Sequence, residues 1–371
     1  MLVPKFQLKP LKAVTVLWFL AVVIITPAAT ASGIPSDVPN PAKFLRRAYA
    51  RATVLGKYVY IEGGEVSQVG DDGNIVLYKN SSFAHSVTST LSIDLSKPWD
   101  AQSVAIRTIP KPPSGDIPSR SCGHLWTNTA AGELYSWGGF WPYGEGIKPQ
   151  RELYKFTADG EGGGTWSVEQ HPTKDTGTSI LGPNGLRSGE QGAFASDAER
   201  GFIIGGWKGT EGFSPFGAGG LADSMAHFVP GFGRNGGMVF VLGGWTAPAA
   251  ESDKMAQLED EDAAPLGFQE LTFFDTVTKK KYTQVTTGTP PGWPRSASCV
   301  TGFPTGSGGY DIFIMGGSNK QDQITYQDAY VRQALVIGGG GGDWGLQWDV
   351  PDPAPQGLLL FDMTNWTWKY R

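Results

Sequence analysis

Cysteine, histidine and charge are all scarce in this chain. Two Cys (Cys122 and Cys299) among 371 residues cannot build a disulfide-dense scaffold and leave room for one bridge at most. Four His (His85, His124, His171 and His227) lie 39, 47 and 56 residues apart, so no pair has the local spacing of a metal-binding segment. Charged residues make up 18 %, with 30 basic against 35 acidic and a net charge of −5. No tract of five Lys or Arg occurs, which argues against a nucleic-acid partner. Only one long apolar run exists, Ala13 to Ile25, and it is shorter than the roughly 20 residues of a membrane-spanning helix.

That run has the flanks of an export signal. Lys5, Lys9 and Lys12 precede it, and Ala29-Thr30-Ala31 follows as a small-x-small cleavage site. Residues 1–31 are therefore expected to be a signal peptide and 32–371 the working domain. The expected destination is the secretory pathway and then the extracellular space, the cell surface or the cell wall. Membrane attachment would need an uncleaved signal anchor or a C-terminal anchor that this chain does not contain. Asn80-Ser81-Ser82 and Asn365-Trp366-Thr367 match the N-glycosylation pattern, which gains weight in an exported protein.

Glycine and aromatics, in contrast, are abundant. There are 52 Gly, and Phe, Tyr and Trp supply 12 % of the chain, a composition that disorder does not have. Short apolar strands run into Gly-Gly six times, beginning at Gly63, Gly138, Gly205, Gly243, Gly316 and Gly338. Five of them have a partner strand just upstream, for example Arg51 to Val54 and Ser296 to Val300, so each unit opens with a hairpin. A second hairpin follows some copies: a strand, then Asp with turn residues, then a large aromatic. Leu91 to Asp94 leads to Trp99, and Leu153 to Phe156 leads through Asp159 to Trp166. Leu271 to Asp275 leads to Tyr282, and Leu358 to Asp362 leads to Trp366 and Trp368. Two hairpins make a four-stranded antiparallel sheet, and its repetition at about 50 residues is the mark of a propeller blade.

Apolar strand, Gly-Gly, then Asp-turn-Trp resembles the kelch repeat. The segments Phe44 to Val54, Ser89 to Leu95 and Gln356 to Thr364 make the chain similar to fungal secretory-pathway kelch proteins, over residues 43–371. The resemblance implies an all-β kelch-type propeller with a six- or seven-bladed ancestor, commonly membrane-anchored and without an assigned activity. The spacing departs from it. Successive Gly-Gly pairs are 75, 67, 38, 73 and 22 residues apart, whereas four strands and three turns need roughly 35–40. The Asp…aromatic hairpin is missing after the third and fifth pairs, so those two blades are expected to be incomplete. A damaged gene product and a smaller propeller with two irregular blades both fit this spacing.

No catalytic, metal or cofactor residue stands out. Galactose-oxidase-like relatives of the kelch fold use copper held by His and Tyr beside a Cys–Tyr crosslink, and nothing here matches that arrangement. Kelch specifier proteins carry Glu-x₃-Asp-x₃-His; Asp223 and His227 fit, but Gly219 stands at the Glu position. The run Gly338 to Gly342 is not followed by a helix-forming segment, so a nucleotide loop is excluded. Glu259-Asp260-Glu261-Asp262 reads as a solvated acidic insert. What remains is a loop face. Trp141, Tyr143, Trp207, Phe213, Phe216 and Trp245 follow Gly-Gly pairs and are expected either to stack a protein or glycan ligand or to pack between blades. The expected function is a non-enzymatic binding scaffold, with a secreted copper oxidase or other metal enzyme as the alternative.

Overall fold

The chain divides into two compact units, 1–33 and 34–371. The computed structural model describes residues of the second, from 36 to 369. It leaves out 79–81, 114–116, 140–152, 170–188, 209–220, 247–263, 320–323, 326–332, 338–347, 363–366 and some single or paired positions between them. The export signal, Asn80 and Asn365 thus lie outside the described residues.

Three repeats form complete four-stranded antiparallel sheets whose strands lie side by side in chain order. Blade 1 is Arg51–Leu55, Tyr58–Glu62, Ser89–Asp94 and Ile106–Pro110. Blade 2 is His124–Asn128, Glu133–Trp137, Leu153–Ala158 and Gly164–Glu169. Blade 4 is Met225–Val229, Met238–Leu242, Glu270–Asp275 and Lys281–Val285. Blades 3 and 5 are two-stranded among the described residues: Ala193–Ser196 with Gly201–Ile204, and Cys299–Pro304 with Tyr310–Met315. The sixth sheet joins Gln333–Ile337, Leu358–Asp362 and Thr367–Lys369. The first strands of blades 1 to 5 lie side by side in sequence order, and no α-helix occurs among the described residues. This is a β-propeller, and among the described residues its third and fifth blades are two-stranded, where the Gly-Gly spacing leads to short blades.

The continuous apolar strands are explained by burial on both faces. Val59 and Ile61 enter one core with Phe44, Val66 and Leu91. Their neighbours Tyr58 and Tyr60 enter the next, with Leu125, Leu134, Phe156 and Trp166 of blade 2. In blade 4, Val239 and Val241 face Ala193 and Ala195 of blade 3, while Leu242 belongs to a cluster with Val300, Ile312 and Ile314 of blade 5. The Asp after each third strand closes its hairpin: Asp94 accepts from Ser96, Asp159 from the Glu161 and Gly163 amides, and Asp275 from the Val277 and Thr278 amides. Trp99 differs from expectation. It lies before the fourth strand of blade 1, which starts at Ile106, and packs against the adjoining core.

Gly-Gly is a bend rather than an end. After Gly63-Gly64 the chain resumes at once as Glu65–Gln68, paired with Phe44–Ala48 and His85–Ser86. Blade 4 repeats the pattern, with Trp245–Thr246 between Leu221–Ala222 and Ala264–Pro265. Each such blade is therefore folded across its width. The chain closes on itself as well. The Asp352 amide donates to the Leu45 carbonyl at 2.6 Å, Ser67 donates to the Trp348 carbonyl at 2.9 Å, and Leu358 enters the core of blade 1.

Candidate functional site

Two of the six loop-face residues, Trp207 and Trp245, fall within the described residues. Trp141, Tyr143, Phe213 and Phe216 lie outside the described residues. Trp207 is in a short strand whose backbone pairs with Glu190. Trp245 is 8 % exposed, consistent with packing rather than display. The disulfide left open by the sequence is not formed. Cys122 is buried and Cys299 is exposed, and no disulfide joins them. Cys122 sits two residues before its strand, not on it, in a left-handed bend (φ 52°), and its amide donates to the Tyr49 carbonyl.

Polar side chains of catalytic type are used at the seams between blades. Between blades 1 and 2, Glu62 and Lys111 form an ion pair whose side chains are both under 10 % exposed. Thr90 donates to Glu62 at 2.7 Å, and the Trp166 indole N–H donates to Thr90 at 2.7 Å. The Lys111 ammonium also donates to the Pro118 carbonyl and lies 6.0 Å from the Trp166 ring. Backbone contacts reinforce the seam. The Gly64 amide donates to the Arg120 carbonyl at 2.7 Å, and Arg120 Nη1 donates to the Gly139 carbonyl of its own blade at 3.1 Å. Arg295 repeats both contacts, with Gly244 and Gly316.

The described histidines follow the same logic. His124 is 1 % exposed, stacks on Trp137 and meets Phe194 of blade 3. Neither ring nitrogen has a partner among the described residues. Burial, with a smaller contribution from the nearby Arg51 charge, pushes its pKa down to about 3. His85 is buried, with Nε2 3.8 Å from Asp37 Oδ1; burial lowers its pKa against the opposing pull of that carboxylate. Asp37 in turn accepts bonds from the amides and hydroxyls of Thr88 and Ser89, which straps the N-terminal segment to blade 1.

His227 meets a tyrosine across the seam between blades 4 and 5. It lies on the first strand of blade 4, and its Nε2 is 2.9 Å from the Tyr310 hydroxyl of blade 5. Burial holds His227 down at about 4 and raises Tyr310. Gly302 makes room for the pair, since a Cβ there would come within 2.7 Å of both partners. The row continues outward across blade 4. His227 is the register partner of Phe240, Phe240 of Phe273, and Phe273 of Tyr282. The rings stack at 5.3 and 5.8 Å for the last two steps. Leu271, two residues from Phe273, belongs to the blade 4–5 cluster, so the whole row looks toward blade 5. Sequence reading saw Tyr282 as a blade aromatic but could not align it with His227, because the row exists only through register.

No group of three or more His, Cys, Asp or Glu suited to a metal ion occurs among the described residues. No protein-family model and no curated protein matches the chain. Among solved structures, the chain is similar to a novel fungal alcohol oxidase with catalytic diversity among the AA5 family, in complex with copper. The match has 12 % identity and a TM-score of 0.26, covering 73 % of this chain and 48 % of that one. The chain thus spans about half the length of that enzyme, and the propeller assignment rests on strand order and blade packing rather than on this likeness.

Proposed function

We propose that the chain is an exported β-propeller that works as a binding scaffold for a protein or glycan partner at the cell surface, in the wall or outside the cell. One observation carries this reading: the polar side chains best suited to chemistry are engaged in holding blades together. Among the described residues, Glu62, Lys111, His124 and His227 are taken up by seams. Faces and edges are what remain for a partner, and on a propeller such grafted surfaces carry function.

A copper enzyme is the competing reading, and the His227–Tyr310 pair is its best support. These two side chains offer an N and an O donor, but they bond to each other, and no third His, Cys, Asp or Glu gathers with them among the described residues. The donors described do not fit a copper centre. The deciding experiment is metal analysis of the secreted protein together with oxidase assays on galactose and glyoxal. Copper near one equivalent with turnover would overturn the scaffold reading; metal-free protein that binds wall glycans or a surface protein would support it.

A further inference from the structure

The segment that precedes Phe44–Ala48 lies across blade 1 as a strap. Residues 36–43 form no β-strand, so they can leave the blade without breaking a strand ladder. Their anchor is Asp37. Its Oδ2 accepts from the Thr88 amide and hydroxyl at 3.0 Å, from the Ser89 amide at 2.8 Å and from the Ser89 hydroxyl at 2.6 Å. The Asp37 carbonyl accepts from Arg47 Nη2 at 2.8 Å, and Val38 packs on the core of Val59, Ile61 and Leu91. Beneath the strap lies His85. It shares a row with Arg47 and Val66, its register neighbours across Phe44–Ala48, Glu65–Gln68 and His85–Ser86. His85 Nε2 is buried without a hydrogen-bond partner, 3.8 Å from the other Asp37 oxygen, and Arg47 Nη1 is likewise buried without a partner. The charged and titratable groups facing His85 are Asp37 of the strap, Arg47 of the first strand, and Tyr78, whose ring centroid is 5.8 Å away. The middle strand brings only Val66 to this row.

We propose that the strap is an acid-released latch: protonation of His85 frees residues 36–43 from blade 1 while the blades stay folded. The inference stands apart from the scaffold reading, since it holds whatever the propeller binds. With His85 neutral, one carboxylate balances one guanidinium in a buried cluster. A proton on His85 sets two buried cations against that single carboxylate, whose Oδ2 is already committed to Thr88 and Ser89. Burial lowers the His85 pKa from 6.5 and outweighs the opposing pull of Asp37, while the Arg47 charge adds to the lowering. With the strap open, the ring meets water and titrates near 6.5. The open form therefore takes up the proton first, and closure is strongest above 6.5 and weakens as pH falls below it. A terminal segment opens at less cost than a blade, so the latch yields before the propeller does. Its release uncovers the flank of the blade 1 core that Val38 covers, an apolar surface presented only in acid.

The test is amide hydrogen exchange on the full secreted chain at pH 7.5 and pH 5.0, with rates corrected for the intrinsic pH dependence of exchange. Protection of the Thr88 and Ser89 amides, which donate to Asp37, is expected to fall roughly tenfold at the lower pH. Protection of Leu153–Ala158 in blade 2 is expected to hold. His85→Phe keeps a ring beside Tyr78 and removes the titration, so its strap should be equally protected at both pH values. Asp37→Ala should leave the strap open at both, and in that variant the His85 ring, followed by NMR, should titrate near 6.5. Equal protection at both pH values in the unaltered chain, an equal fall in His85→Phe, or a fall in blade 2 as large as that in the strap would overturn the proposal. So would a His85 titration unchanged by Asp37→Ala, a readout that stands even if His85→Phe does not fold.

Discussion

His124 is a polar residue used as an aromatic one. Its ring lies between Trp137 and Phe194, and both nitrogens are buried without partners among the described residues. Leaving buried polar atoms unpaired costs about 1–3 kcal/mol. His124→Phe keeps the ring and removes the nitrogens, so it is expected to stabilise the protein by about 1 kcal/mol; a higher urea midpoint at unchanged slope would show it. Lys111 is the opposite case. Its ammonium is held by Glu62 and the Pro118 carbonyl in a buried seam. Lys111→Met strands the Glu62 carboxylate and is expected to cost about 3–5 kcal/mol. Adding Glu62→Gln should recover much of that, and a double-mutant cycle by chemical denaturation measures the difference.

At the scale of the strand, the Gly-Gly bend sets blade shape. Gly63 and Gly64 both have left-handed backbone (φ 65° and 78°). A Cβ on Gly63 would collide with the Arg120 carbonyl of the next blade, and one on Gly64 would lie 2.5 Å from the Ala48 carbonyl oxygen. Gly63→Ala therefore meets both strain and backbone and is expected to cost about 3 kcal/mol or more, read as a lowered thermal midpoint. This element was legible in sequence because a steric demand leaves a residue-type signature. So were the strands ending in Asp94 and Asp275, whose carboxylates build the next turn. The short strand Glu65–Gln68 was not legible: its four buried positions include Glu65, Ser67 and Gln68, so polarity hid it. Ser121 donates to Glu65, and Ser67 to the Trp348 carbonyl, partners far away in sequence. The His227 row was hidden for the same reason, since its members lie on four strands and meet only through register.

For the whole molecule, the seams make stability depend on pH. His85, His124 and His227 sit in three different seams or clasps, and burial lowers all three from 6.5, the latter two to about 3 and about 4. The unfolded chain takes up these protons near pH 6.5, while the folded chain takes them up only at lower pH, well below it for His124 and His227. The stability contributed by His124 and His227 is therefore fully present above 6.5 and falls as pH drops toward 4, by up to about 1.4 kcal/mol per pH unit for each of these two; His85 acts in the same direction. Asp352, raised from 3.8 by burial, works in the other direction only around its own titration. The net charge of −5 at pH 7 vanishes near pH 5.5, inside the same window, so electrostatic repulsion between molecules fades as the seams weaken. The outer edges of blades 3 and 5, unpaired among the described residues, then become sites for edge-to-edge association. Thermal scans from pH 8 to pH 4 are expected to show a midpoint that holds above 7 and declines below 6.5, with aggregation strongest near 5.5. His124→Phe should flatten the decline, because it removes one of the three groups. A midpoint that stays level between pH 7 and pH 4.5, or a slope unchanged in His124→Phe, would mean that these histidines do not carry the acid response.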